Sequence, residues 1–317
     1  MKSPNPYLFI VGYPRSGTTL LQRIVDAHPA VTITPETHWV PRFYRARRGL
    51  TPDGFVTAEI VLHLLSHHRF KQLGLLQQEL EELARSPVDY ATFVTAVYER
   101  YGQHQGKPLV GDKTPGYVRF MPLLHGLWPG ARFVHIVRDG RDVCLSVMDW
   151  DKASKDAGRF ATWRDDPVVT TALWWGWTVR AGRQAGAALP SQLYREVVYE
   201  ALVTDPESTT RSVCEFLDLP YDGGMLRFHE GRTRQEPGLS AKHAWLPVTN
   251  GLRDWRTQMD PESVERFEAA AGDLLDELGY ERTVAHISAP VRRRVLALRE
   301  RFTDEALAAR WEPPAGW

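Results

Sequence analysis

The sequence predicts an α/β fold in which helices flank a central parallel sheet. Short apolar runs alternate along the 317-residue chain with segments that repeat apolar residues every three or four positions. Strands that alternate with helices form parallel sheets, because each helix carries the chain back across the sheet. A glycine-rich loop between the first predicted strand and the first predicted helix is a further sign of this fold.

Five short segments are predicted to form the strands. Each is rich in β-branched or aromatic residues and stops near residues that favour turns. The predicted strands are residues 7–11, 31–34, 109–111, 132–137 and 193–199. Helical spacing of apolar residues lies between and after them, at residues 18–28, 142–148, 170–189, 208–217 and 261–278.

A block from about residue 40 to 105 shows helical spacing only, for example at Leu73, Leu76, Leu80 and Leu83. Because no flexible linker flanks it, we expect a helical insertion within a single domain of residues 1–317. A basic amphipathic helix at residues 291–302 lies in a C-terminal helical extension, about 281–317. It is expected to dock with its arginines in solvent, and a helix that binds a membrane surface or a partner is the alternative.

Composition limits the partners of the chain. Lys plus Arg and Asp plus Glu number 39 each, so no overall attraction to nucleic acid is expected and any anion site must be local. The two cysteines, Cys144 and Cys214, favour a reducing compartment over a disulfide framework or a zinc site. No apolar run approaches the roughly 20 residues of a membrane span. We therefore expect a cytoplasmic protein.

The strongest functional signal is the segment GYPRSGTT at residues 12–19. Gly12 and Gly17 have the spacing of the phosphate loop G-x-x-x-x-G-K-[ST], in which amide groups at a helix start surround an anion. Thr18 stands where that motif has the lysine that reaches the terminal phosphates, and Arg15 places a cation inside the loop. This pattern favours an anion shorter than a triphosphate.

A second candidate anion site follows the fourth predicted strand. Arg138 is the first residue after that strand, and Ser146 lies eight residues further on. A nucleotide kinase usually has a carboxylate here to help hold Mg²⁺, whereas a guanidinium group suits a phosphate. The alternative is a loop arginine that pairs with Asp139 or Asp142. The neighbouring Arg141 is expected at the surface.

These segments resemble the sulfotransferases that use PAPS (3′-phosphoadenosine 5′-phosphosulfate). PRSGTTLL is similar to their 5′-phosphosulfate loop, and FVHIVRDGRDVCLS is similar to their 3′-phosphate motif. The longer segment RSGTTLLQRIVDAHPAVTITPET resembles the tyrosylprotein-sulfotransferase and bacterial branch. The resemblance spans residues 7 to about 279. It implies a P-loop NTPase-like fold, PAPS as co-substrate, adenosine 3′,5′-bisphosphate as product, and no metal.

The resemblance also implies which residues bind the nucleotide. Arg138 and Ser146 are expected at the 3′-phosphate. Tyr199, at the end of the fifth predicted strand, resembles a family position near the nucleotide, with a core tyrosine as the alternative. The residues expected at the 5′-phosphosulfate are Arg15, Ser16, Gly17, Thr18 and Thr19.

Glu36 is the leading candidate for the base that deprotonates the acceptor. It follows the second strand, at the edge where ligands bind in such sheets, and ITPETHWVPR resembles the family segment with a catalytic glutamate. His38 is the competing base, and a structural carboxylate is the other alternative. Lys113, in DKTP, resembles the lysine that contacts the transferring sulfonyl group, with Arg15 sharing that task. Asp112 is predicted to position Lys113 or to cap the next turn.

Other functions stay open at this point. A P-loop nucleotide kinase is disfavoured by Thr18, and a non-catalytic nucleotide-binding module would use the helical block to bind a partner. The acceptor supplies a hydroxyl or an amine and could be a small molecule, a sugar or a peptide. Tryptophans 163, 174, 175 and 177 either line its pocket or belong to the core. Ser240 weakly matches a family serine, and the cation that covers the nucleotide after it, such as Lys242 or Arg253, is left open.

Overall fold

The computed structural model describes residues 4–150, 160–230 and 246–311. The chain forms two compact units. The first comprises Met1–Ile136 and Ala185–Thr249, and the second comprises Val137–Gln184 and Asn250–Trp317. The single domain expected from the sequence stays a prediction.

A parallel sheet with helices on its faces confirms the predicted fold class. Among the described residues the sheet has five strands in the order β2-β3-β1-β4-β5. β1 pairs in parallel with both β3 and β4, and β2 pairs in parallel with β3. The strands are β1 Leu8–Gly12, β2 Val31–Thr34, β3 Leu109–Lys113, β4 Arg132–Val137 and β5 Tyr194–Val198.

The helices predicted at residues 18–28, 142–148, 170–189, 208–217 and 261–278 are present with ends that differ by a few residues. In chain order the described α-helices are α1 Thr18–Asp26, α2 Val40–Arg45, α3 Glu59–Ser66, α4 Gln77–Leu83, α5 Tyr90–Gln105, α6 Met121–Leu127, α7 Gly140–Met148, α8 Thr162–Asp165, α9 Pro167–Ala187, α10 Tyr199–Thr204, α11 Pro206–Phe216, α12 Trp255–Gln258, α13 Pro261–Glu277 and α14 Ala289–Ala308. The sequence did not predict α6, α8, α10 and α12. The described 3₁₀ helices are Phe70–Leu73, Pro115–Phe120, Ser191–Leu193 and Gly223–Glu230.

The central position of β1 in the sheet explains why its sequence is apolar throughout. Successive side chains of a strand alternate between the two faces of a sheet. Leu8 and Ile10 accordingly pack into one core cluster, with residues of α1, α10 and α11, whereas Phe9 and Val11 pack into another, with residues of α2 to α6. A central strand buried on both faces has no polar position, and this explains the continuous run LFIV.

The helical block of residues 40–105 packs on one of these two faces. Its helices α2 to α5 contribute buried side chains to the cluster that contains Phe9. Asp89 caps α5 by accepting a hydrogen bond from the Thr92 amide at 3.0 Å, and Gly106 ends the helix with a φ of 67°. The block therefore forms part of the core of the first unit.

The second unit is helical and rich in aromatic side chains. Trp174, Trp175 and Trp177 of α9 are buried, and their neighbours include Phe160, Phe267 and Phe302. The tryptophans of α9 are therefore core residues. α14 buries Val295, Leu298 and Phe302 and exposes Arg292 and Arg293, as expected of a docked surface helix. Within the described ranges, no helix combines the length and the apolar character that a membrane crossing requires.

Candidate functional site

The loop between β1 and α1 requires glycine at two positions. At Gly12 a β-carbon would lie 2.6 Å from the carbonyl oxygen of Ile136. At Gly17, where φ is 93°, a β-carbon would lie 2.4 Å from the ring of Tyr199. Both distances are shorter than any packed structure tolerates, so the close approach of β4 and Tyr199 selects these glycines.

The same loop fits an anion. The side chain of Ser16 is only 1% exposed, and its hydroxyl has no hydrogen-bond partner within the described ranges. An unpaired buried hydroxyl is destabilising by about 1–3 kcal/mol, which a bound ligand oxygen would offset. Among the residues that the structure describes, no side chain caps α1, which begins at Thr18, and Arg15 has a left-handed φ of 73°. Such strain in a non-glycine residue is typical of functional loops.

Tyr199 lies at this loop. Its ring packs against the backbone of Gly17, and the residue is buried at the start of α10. The structure therefore brings Tyr199 next to the phosphate loop, and its contact with a nucleotide stays a prediction.

Glu36, Lys113 and His38 meet at the carboxyl ends of β2 and β3. β2 and β3 are paired, with Thr34 opposite Asp112, so Lys113 at the end of β3 lies close to the segment that follows β2. Lys113 Nζ donates a hydrogen bond to Glu36 Oε1 at 2.6 Å, and His38 Nε2 lies 3.0 Å from Glu36 Oε2. Both carboxylate oxygens of Glu36 are thus held by nitrogen groups.

The ionised form of Glu36 is strongly favoured. Burial raises the pKa of this carboxyl group, but the positive charge of Lys113 and the hydrogen bonds from His38 and Lys113 outweigh burial and hold the pKa well below its usual range. Glu36 is therefore a carboxylate at neutral pH, the form that a base needs. Its basicity is weakest while Lys113 stays in contact with it.

Sequence reasoning missed Arg69 and His67, which belong to the helical block. The guanidinium group of Arg69 lies 3.9 Å from Glu36 Oε2. Burial lowers the pKa of His67 to about 4, with smaller contributions from His68 and His38. No sequence signal joins these positions to Glu36, because only the packing of the block on the sheet brings them near it.

Arg138 and Ser146 lie in the second unit. Each is 6% exposed, and Arg138 Nη2 is 3.5 Å from Asp142 Oδ2, at the outer limit of a hydrogen bond. Asp142 Oδ1 accepts a hydrogen bond from the Trp255 amide at 2.8 Å. The Asp142 pairing foreseen as an alternative is thus present in a weak form, and the 3′-phosphate role of Arg138 stays a prediction.

The prediction that Arg141 lies at the surface is wrong. Arg141 is 0% exposed, and its guanidinium group pairs with Asp139 at 2.8 Å and with Glu268 at 2.7 Å. It also lies over the Trp255 ring, 3.6 Å from the ring centroid. The physical reason is that the first turn of α7 packs against α13, which supplies Glu268 and turns Arg141 inward.

The loop thought to cover the nucleotide is described only in part. Ser240 and Lys242 lie outside the described residues. Arg253 pairs with Asp149 at 2.6 Å.

The parallel sheet and the loop between β1 and α1 define an α/β protein whose glycine loop at the start of α1 fits an anion. This chain belongs to the Sulfotransferase family, whose model matches residues 6–223. The match confirms the predicted family and makes the protein a sulfotransferase, an enzyme of sulfonyl transfer.

Relatives support the same assignment. The protein-tyrosine sulfotransferase of Drosophila melanogaster is 27% identical over 288 residues, which cover 87% of this chain and 52% of that protein. Protein-tyrosine sulfotransferase A of Caenorhabditis elegans is 26% identical over 283 residues, which cover 87% of this chain and 68% of that protein. The chain thus spans about half the length of the Drosophila relative.

A solved structure supports the fold. The sulfotransferase domain from the Synechococcus PCC 7002 olefin synthase superposes with a TM-score of 0.56 at 22% identity, and the match covers 96% of each chain.

Proposed function

We propose that this sulfotransferase uses PAPS as its donor and that the loop of residues 13–19 holds the 5′-phosphosulfate. The observation that carries the proposal is the buried Ser16 hydroxyl, which has no partner among the described residues and lies at the start of α1. The missing P-loop lysine at Thr18 disfavours a nucleoside triphosphate. Arg138 and Ser146 are assigned to the 3′-phosphate on their sequence pattern.

In the proposed chemistry, Glu36 takes the proton from the acceptor hydroxyl or amine. The acceptor oxygen or nitrogen then bonds to the sulfur by in-line displacement, the bond from sulfur to the bridging phosphate oxygen breaks, and adenosine 3′,5′-bisphosphate leaves. Lys113 and Arg15 neutralise the negative charge that develops on the leaving phosphate oxygen. The contact between Lys113 and Glu36 also links the pKa of Glu36 to binding of the donor. Any shift of Lys113 from Glu36 toward the donor removes the positive charge that lowers the pKa of Glu36, so the base becomes stronger when the donor is bound.

Acceptor and location extend the proposal. Because the relatives are named protein-tyrosine sulfotransferases, a peptide tyrosine is the first acceptor to test. Small phenols, sugars and amines follow, and nucleic acid is not proposed because the chain has no net charge. Cytoplasmic location is proposed on the two free, buried cysteines. Transfer is proposed to need no metal, so a chelator should leave it unchanged.

The first test is calorimetry with adenosine 3′,5′-bisphosphate. We expect tight binding that Arg138→Ala largely removes. Gly17→Ala should weaken binding at least about tenfold, because the left-handed φ and the contact with Tyr199 are each incompatible with a β-carbon. Gly126→Ala is the matched control, since a β-carbon at Gly126 meets nothing within 4 Å. No detectable binding by the unmodified protein would contradict the proposal.

The second test is transfer of labelled sulfonyl from PAPS to a panel of tyrosine peptides, phenols, sugars and amines. Transfer to at least one member is expected, and Mg²⁺-dependent consumption of ATP in place of PAPS would support a kinase instead.

A further inference from the structure

A buried carboxylate lies directly beside the candidate catalytic residues. Asp112 is 0% exposed and receives three hydroxyl hydrogen bonds. Thr37 Oγ1 donates to its Oδ2 at 2.6 Å and Tyr98 OH donates to the same oxygen at 2.8 Å. Thr114 Oγ1 donates to Oδ1 at 2.7 Å. These donors come from three different segments of the first unit.

Two of these segments carry the proposed catalytic groups. Thr37 stands between Glu36 and His38, and Asp112 immediately precedes Lys113. Neighbouring residues of an extended strand point to opposite sides. Lys113 therefore reaches Glu36 while Asp112 binds the intervening Thr37.

Two further hydrogen bonds complete the connection. The Thr37 amide donates to Thr114 Oγ1 at 3.0 Å, and Thr37 Oγ1 lies 2.6 Å from Tyr117 OH. Tyr117 OH in turn accepts a hydrogen bond from the Val40 amide at 3.2 Å. The segment after β2 is thus fixed to the end of β3 at several points, all of them buried.

Stability alone does not account for this arrangement. In the described part of the chain no lysine or arginine pairs with Asp112, and burial raises the pKa of its carboxyl group although the hydroxyls oppose the shift. A buried carboxylate without a counter-ion is less favourable than an apolar group of similar size. A fully hydrogen-bonded polar network does, however, define one geometry.

We propose that Asp112 is a positioning residue. Through Thr37 and Thr114 it fixes the segment that carries Glu36 and His38 against the strand that carries Lys113, and so sets the contact between base and cation. This inference rests on the proposed function of Glu36 and Lys113. It assigns Asp112, Thr37 and Tyr98 no contact with substrate.

The test compares Thr37→Val with Thr37→Ser. Valine keeps the shape of threonine but removes the hydroxyl, whereas serine retains it. We expect Thr37→Val to lower kcat roughly 10- to 100-fold, because small displacements of catalytic groups reduce rates by such factors. KM for the donor and binding of adenosine 3′,5′-bisphosphate should stay close to those of the unmodified enzyme. Thr37→Ser should keep kcat close to that of the unmodified enzyme.

The pH profile provides a readout that a purely structural role would not change. If the contact with Lys113 loosens, the pKa of Glu36 rises toward its usual value, so the acid limb of kcat/KM should move to higher pH in Thr37→Val. An unmoved limb with normal kcat would overturn the proposal. If Thr37→Val does not fold, Tyr98→Phe decides, with Tyr90→Phe as control because the Tyr90 hydroxyl bonds the Val40 carbonyl and not Asp112.

Failure of the two ideas can be told apart. An unmodified protein that transfers no sulfonyl group contradicts the proposed function. Equal kcat and equal pH profiles in the unmodified enzyme, Thr37→Val and Tyr98→Phe contradict only the positioning role.

Discussion

Two of the buried charged clusters in the described part of the chain differ in how completely they are enclosed. In the second unit, Arg141 is 0% exposed and its guanidinium group meets Asp139, Glu268, the Glu281 carbonyl and the Trp255 ring. In the first unit, the side chain of Glu36 is 20% exposed although it contacts Lys113 and two further basic groups. The Arg141 cluster of the second unit is closed. The Glu36 cluster of the first unit is open, because a substrate can reach one side of it.

This difference shows what marks a functional site. A fully buried arginine that pairs with two carboxylates and a carbonyl oxygen holds the surrounding segments together. A partly open carboxylate whose pKa is displaced by named neighbours is the pattern found at active sites. Both clusters combine charge with burial, and they differ in whether a ligand can reach the charged group.

The largest effect is expected from a substitution in the open cluster, at Glu36. Glu36→Gln should lower sulfonyl transfer by about 10²–10⁴-fold, the usual contribution of a general base. Binding of adenosine 3′,5′-bisphosphate, measured by calorimetry, should persist because Glu36 is proposed to act on the acceptor. Activity within a few-fold of the unmodified enzyme would instead favour His38 as the base, and His38→Gln would then abolish transfer.

Breaking the closed cluster should affect folding. Arg141→Met leaves Asp139 and Glu268 buried without their cation, so we expect the free energy of unfolding to fall by about 3–5 kcal/mol in urea titrations. The control is Arg211→Ala, which removes an exposed pair with Glu207 and should change stability by no more than about 1 kcal/mol. A loss as small as that of the control would mean that the closed cluster is not a folding element.

Local sequence was sufficient to predict the strands and the place of the glycine loop between β1 and α1. Continuous apolar runs predict buried strands, and the glycine spacing predicts a loop that lies between one of them and a helix. Glu36 and Lys113 could each be placed at a strand end. Their contact could not be predicted, because the two residues are 77 positions apart and β2 and β3 join only through the sheet.

Arg141 and Asp112 show where sequence reasoning ends. The charged run RDGRD favours a surface loop, and the buried partner Glu268 lies 127 positions further along the chain. The hydroxyls on Asp112 come from Thr37, Tyr98 and Thr114, whose spacing has no periodic pattern. Such clusters depend on tertiary packing, so no local rule identifies them.

The smallest expected effect is on the pH dependence of stability, to which Glu36 and Asp112 should contribute with opposite signs. The pKa of Glu36 is lowered because Lys113 and His38 outweigh burial, and the pKa of Asp112 is raised because burial outweighs its hydroxyl donors. The stabilisation from Glu36 is therefore complete above the unfolded pKa of about 4.3 and is lost as the pH falls further toward the folded value. The contribution of Asp112 to stability has the opposite sign: it becomes more favourable as the pH falls, because protonation removes the buried charge.

Urea titrations between neutral pH and roughly pH 3.5, below the reference pKa values of both side chains, should show this contrast. Glu36→Gln should lose less stability on acidification than the unmodified protein, because it lacks a group that weakens the fold when protonated. Asp112→Asn should lose more stability on acidification, because it lacks a carboxyl group whose protonation stabilises the folded state. Shifts of the same sign in both variants would mean that Lys113 and His38 do not hold Glu36 in its ionised form, and the open cluster would then not be poised for proton transfer.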